Sequence, residues 1–253
     1  MPIPVCQLWE DFKSRENTWQ GGHVRPASFV SWLHEVQIEM QNELIKSLGN
    51  NQTVTDNLRS HSKSVQIPVK QFITGGVIPY PKDYRRILSL RYFTKKQNGT
   101  GYMCSDLPLM DKEGNCKPLT EEEKAEAKNT EELCENSIEI VDNQRWGSIC
   151  EHELIGPSME FPYATQLDSG FKILPKKIGY VVLDYIAIPE RPVFKFSRDA
   201  RHNITCLPAS TSIKWGEEMI PEIMARLKIR YSAFTRNDGG YNQGQKEREI
   251  TTG

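Results

Sequence analysis

An α+β fold follows from three features of the sequence: an amphipathic stripe near each end of the chain, and short alternating stretches broken by proline between them. The reading is of N- and C-terminal amphipathic helices forming a helical core, with a central, mainly antiparallel β domain that carries an acidic insertion. It divides the chain into an N-terminal helical part over 1–60, a β domain over 61–212 with the insertion at 94–135, a closing helix over 213–236 and an extended tail over 237–253.

The first stripe starts after Arg25-Pro26, with Ser28 as candidate cap. Phe29, Trp32, Leu33, Val36, Met40, Leu44 and Leu48 recur at spacings of three and four, and Gly49 is a natural stop. Strands are predicted at Val65–Ile67, Lys70–Ile73, Arg86–Phe93, Ser137–Val141, Gly170–Leu174 and Gly179–Ile188. Prolines at their ends suit short connections and protected edges. Within the insertion, residues 111–135 hold nine acids against four lysines, so this segment is expected to be a solvated appendage. Thr120 before Glu121-Glu122-Glu123 is a strong helix start, combining a cap with negative charge at the positive end of the dipole.

The second stripe runs through Trp215, Met219, Ile220, Ile223, Met224, Leu227, Tyr231 and Phe234, with Pro221 required near its start. The predicted core sets Phe29, Trp32, Val36, Met40 and Leu44 against Trp215, Ile220, Ile223, Leu227 and Tyr231. Beyond Asp238-Gly239-Gly240 the tail has too little apolar surface to offset its own ordering, about 1–2 kcal/mol per residue. It is therefore expected to reach out of its own subunit, with Tyr241 and Ile250 as apolar anchors and Lys246 and Arg248 meeting acids.

Composition narrows the function. The 253 residues carry 32 Lys and Arg against 33 Asp and Glu, and this balance argues against a protein that coats phosphate backbones over its whole surface. Mean hydropathy is −0.57, and no apolar run approaches the roughly 20 residues a membrane span needs. The opening MPIPVCQLWEDFKSRENTWQ is polar from Trp9 onward, so the chain is read as soluble and made in a cytoplasm, with its six scattered cysteines as free thiols.

Chemistry-bearing motifs are not found. There is no phosphate-binding loop, and Asn98-Gly99-Thr100-Gly101 neither follows an evident strand nor opens a helix. Cys150-Glu151-His152-Glu153 lacks the second histidine that a helical zinc motif needs. His23, His34, His61, His152 and His202 are spread over the chain without a paired nucleophile signature. The expectation is no enzyme, with no catalytic residue, cofactor or metal. Basic residues concentrate at 172–201 and 226–249, without the interleaved aromatics of a nucleic-acid motif, and fit electrostatic matching between copies or to a partner.

Three blocks resemble neck proteins of tailed bacteriophages. FKSRENTWQGGHVRP followed by ASFVSWLHEVQIEM looks like the opening of ring proteins of crAss-like gut phages. The block from Ile138 to Phe194 holds Asp142, Gln144, Trp146 and Ser148, then an apolar strand and the run of Tyr185, Pro189 and Pro192. IKWGEEMIPEIMARLKIRYSAF is similar to the tryptophan-led closing helix of these proteins and of podovirus tubular tail or adaptor proteins. The resemblance implies a structural virion component, commonly twelve copies in a ring below the portal that joins capsid to tail and passes double-stranded DNA without sequence-specific binding. Its partners would be copies of itself, the portal and other ring or tail proteins, and the tail would lock onto an adjacent ring or the portal. The implied location is the virion neck, after assembly in the host cytoplasm. Two alternatives stand beside it: a portal adaptor or tail-tube gatekeeper of the same fold, and a cytoplasmic enzyme with an unrecognised site.

Overall fold

The computed structural model describes residues 2–15, 24–49, 52–72, 77–94, 101–128, 133–151, 156–198, 204–235 and 244–250. The chain is α+β and forms two compact units. One joins Met1–His61 to Ile188–Gly253, and the other is the intervening Ser62–Ala187.

The helical unit opens with β1 (Ile3–Pro4), α1 (Val5–Arg15), α2 (Pro26–Lys46) and α3 (Gln52–Arg59). In α1, Val5, Leu8, Trp9 and Phe12 are buried, a stripe of three- and four-residue spacings that the sequence reading passes over. Helix α2 starts three residues earlier than a cap at Ser28 would set it. Its cap is Arg25, which makes no side-chain cap bond, and Pro26 occupies the first turn, where a missing N–H costs nothing.

The second unit contains β2 (Ser62–Pro68), β3 (Ile78–Pro79), β4 (Tyr84–Thr94), β5 (Leu109–Met110), β6 (Cys116–Lys117), α4 (Glu121–Glu126), β7 (Cys134–Ser137), β8 (Glu139–Val141), α5 (Asn143–Glu151), β9 (Tyr163–Leu167), β10 (Gly170–Leu174) and β11 (Tyr180–Ala187). Two sheets result, in the orders β6-β5-β2-β11-β4-β7 and β3-β10-β9-β8. Pairing is antiparallel except for β2 with β5 and β8 with β9. In β11, Val181, Leu183, Tyr185 and Ala187 share a core with Val65 and Ile67 of β2 and with Phe171 and Ile173 of β10, so both sheets bury one face in it. Gly170 permits the closest approach: a Cβ there would overlap the Ile78 carbonyl of the paired strand β3. The strand expected at Lys70–Ile73 is instead a 3-10 turn over Val69–Phe72, reached after Pro68 removes a ladder donor.

The acidic insertion is not an appendage. Strand β5 lies between β6 and β2, and β7 pairs with β4 from Arg91↔Ser137 to Thr94↔Cys134. Gln66, fully buried in β2, accepts from the Cys104 N–H at 2.8 Å and donates to the carbonyls of Cys104 at 3.0 Å and Leu107 at 2.8 Å. Met110 and Leu119 are buried too. Helix α4 does fit the solvated reading. It buries no residue, and a capping box joins Thr120 to Glu123.

After Ala187 the chain returns to the helical unit, so the β domain expected to reach residue 212 ends at 187. Pro189 and Pro192 prevent continuation of the ladder. There follow β12 (Phe196–Arg198), β13 (Ile204–Cys206), β14 (Ser212–Ile213) and α6 (Ile220–Thr235), with Pro221 in its first turn. Strand β14 pairs with β1. Val36, Met40, Trp215, Ile223 and Leu227 all lie in the buried cluster of this unit, with Phe29, Leu33 and the α1 stripe. Trp32, Leu44 and Ile220 are partly buried against it. The expectation of free thiols fails at one pair: Cys6 and Cys206 form a disulfide. A sequence separation of 200 hid their meeting.

Candidate functional site

The residues nominated as an interface are not on an outgoing arm. The chain is helical over 244–250, and this segment returns to its own subunit. Gly244 is buried against α6, where a Cβ would come within 2.8 Å of Ile229 Cγ1 and 3.3 Å of the Ala225 carbonyl. Arg248 pairs with Glu43 of α2 at 2.6 Å and with Glu222 of α6 at 3.7 Å, and Glu247 takes Lys228 at 3.1 Å. Lys246 is exposed, Ile250 is 81% exposed and so anchors nothing there, and Tyr241 lies outside the described residues. The tail has little apolar surface of its own, and charge partners on α2 and α6 hold 244–250 in place instead.

Those partners form one network. The guanidinium of Arg226, 4% exposed, bonds Glu222 at 2.5 Å, Glu43 at 2.6 Å and Glu39 at 3.1 Å. Arg230 extends it to Glu35 at 2.9 Å and Glu39 at 3.3 Å. A buried cation without such partners would carry a large desolvation penalty, so the acids on the polar face of α2 serve as its counter-charges. The hydrogen bond from Arg226 holds the Glu43 carboxyl below its usual range against the opposing effect of burial. Burial would lower the Arg226 pKa, but the hydrogen bonds to Glu43 and Glu222 raise it.

Two polar clusters sit in the β unit. On one, Asp184 of β11 binds Arg91 at 2.9 Å and accepts from Ser64 and Ser89, while Arg91 also reaches Glu135 at 3.0 Å. On the other, the Tyr185 hydroxyl donates to Asp83 at 2.8 Å beside Cys116, and Lys63 pairs with Asp83 at 2.6 Å. Burial pushes the Tyr185 and Cys116 pKa values up, so neither is a ready nucleophile. In both clusters the charged groups are paired within the β unit. Among the described residues no group of three or more His, Cys, Asp or Glu is placed to hold a metal, and His152 and Glu153 lie outside them.

No protein-family model matches this chain, and no curated protein matches it. Among the described residues, large apolar side chains are exposed on both units, including Phe234, which its spacing places in the apolar stripe of the closing helix. Phe161 is 65% exposed on the β unit, and Phe234 is 67% exposed at the end of α6, its ring 5.5 Å from that of Trp32. No helix among the described residues is long and apolar enough to cross a membrane.

A pocket of about 380 Å³ is lined by Asp56, Asn57, Ser60, Lys214, Trp215 and Glu218, among others. Behind it His61, 4% exposed, lies against Trp215 with ring centroids 4.5 Å apart, and its Nε2 has no hydrogen-bond partner. Burial, with Lys214 nearby, pushes the imidazole down to about 4 from its usual 6.5. The unfolded chain then binds the extra proton between these values, so this contribution to stability is full above pH 6.5 and is lost as pH falls to 4. The expected loss is about 3 kcal/mol. Urea midpoints at pH 7 and pH 4.5 check it: His61→Phe should be markedly less sensitive to the change than wild type, and equal sensitivity would exclude this origin.

Proposed function

We propose that this chain is a non-enzymatic structural protein of a tailed-phage virion, many copies of which close into a ring in the neck below the portal. The single observation that carries the geometric side is that each unit exposes its own large apolar side chains, Phe161 on one and Phe234 and Ile250 on the other. A closed ring needs heterologous contacts, in which one face of a copy meets a different face of the next, whereas a two-fold dimer reuses one patch. The three sequence blocks that resemble phage neck proteins favour the same reading, with about twelve copies as the number that resemblance implies. The exposed acids of α4 suit a channel wall, because like charge keeps double-stranded DNA from sticking as it passes. Partners on this reading are further copies, the portal and adjacent ring or tail proteins, with assembly in the host cytoplasm and residence in the virion.

Native mass spectrometry and electron microscopy of the purified protein, alone and with purified portal, test this. A closed ring of one stoichiometry is expected, and Phe161→Asp or Phe234→Asp should yield folded protein that no longer closes it. A monomer or two-fold dimer under all these conditions, or turnover by a metal-loaded form, would remove the reading.

A further inference from the structure

Cys104, Cys116, Cys134 and Cys150 are free, whereas Cys6 and Cys206 are bonded with Cα atoms 5.7 Å apart, at the spacing a disulfide needs. We propose that this bond is a redox-controlled latch on the N-terminal helix, open as two thiols in a reducing cytosol and closed in oxidising surroundings.

Three observations support it. Both cysteines are half-buried, so a small disulfide can reach them, unlike Cys104, which is fully buried. Each sulfur has a polar neighbour for its thiol form: the Leu207 carbonyl is 3.8 Å from Cys6 Sγ, and the Ser210 hydroxyl is 3.3 Å from Cys206 Sγ. Finally, α1 does not depend on the bond to stay in place. Ile3 pairs with Ile213, Val5 N–H donates to the Thr211 carbonyl at 3.1 Å, and Val5, Leu8, Trp9 and Phe12 remain in the core. The chain can thus fold and assemble reduced, and oxidation then ties the start of α1 covalently to the end of β13.

The chemistry is ordinary exchange. The thiolate of one cysteine attacks a small-molecule disulfide such as oxidised glutathione and releases one glutathione thiol. The second cysteine displaces the other glutathione as its thiol. Two protein thiols are oxidised, one external disulfide is reduced to two thiols, and both protons pass to those products.

The test uses the full chain equilibrated in glutathione buffers from cytosol-like to oxidising, with free thiols trapped by iodoacetamide and linked peptides identified by mass spectrometry. The Cys6–Cys206 link should be absent in the reducing buffer and present in the oxidising one. Closure should raise the melting temperature by about 10 °C. Cys6→Ser should melt like reduced wild type in both buffers. A link that persists in the cytosol-like buffer, one that never forms in the oxidising buffer, or one made through another cysteine would each overturn the latch. A protein that switches in this way yet never forms rings would instead remove the neck-ring reading and leave the latch standing.

Discussion

Trp215→Ala is expected to destabilise the helical unit by about 3–5 kcal/mol. The indole is 1% exposed and belongs to the cluster that joins α1, α2 and α6. It follows β14, whose pairing with β1 fixes the backbone on one side, and precedes the turn into α6 on the other. A chain held at both ends cannot collapse into the space a lost indole leaves, so the cavity cost adds to the lost transfer energy. The aromatic contact to His61 goes as well. Leu227→Ala, at a fully buried position of α6, should cost about 2–5 kcal/mol for the same reason. Phe234→Ala, at a position 67% exposed, should change stability by no more than about 0.5 kcal/mol. Urea denaturation of the three variants checks the order. A Trp215→Ala cost below about 1 kcal/mol would mean that the indole does not hold this core together.

Deleting residues 111–135 is expected to abolish the fold of the β unit. The deletion removes β6, the buried Leu119 and the first half of β7, which leaves Phe93 and Thr94 of β4 without their partners. It also takes Lys128, whose N–H donates to the Met103 carbonyl at 2.9 Å and whose carbonyl accepts from Ser105 N–H at 3.0 Å. Loss of the near-ultraviolet circular dichroism and of a cooperative melt of this unit is the expected result. An unchanged melt would restore the view of this segment as an appendage. Neutralising Glu121, Glu122 and Glu126 to glutamine, by contrast, should shift stability by about 0.5 kcal/mol or less, because α4 buries nothing.

These contrasts separate two kinds of information in the acidic segment. Its charge pattern correctly marks the exposed turn of helix after Thr120, since capping and dipole effects act within a few residues. The same pattern misleads about its flanks, where two-residue strands and a loop held by Gln66 enter the sheet. Strands that short carry no periodicity, and Gln66 reads as one more polar residue until its three partners are in place. The tail shows the converse. Its sparse apolar content is plain in the sequence, but Glu43 and Glu222, which receive Arg248, are 205 and 26 residues away along the chain.

What the sequence by itself determined is therefore the local layer: the apolar stripes of α2 and α6, the strands β4, β10 and β11, the start of α4 and the place of Pro221. Each follows from spacing, capping or a missing donor, forces that operate between neighbours in the chain. The tertiary structure decided the rest: the end of the β unit at Ala187, the joining of β5 and β7 to the sheet, the return of 244–250, and the meeting of Cys6 with Cys206. Those depend on complementary groups that are distant in sequence, and their gain is realised only after the intervening chain has closed, so no local pattern announces them.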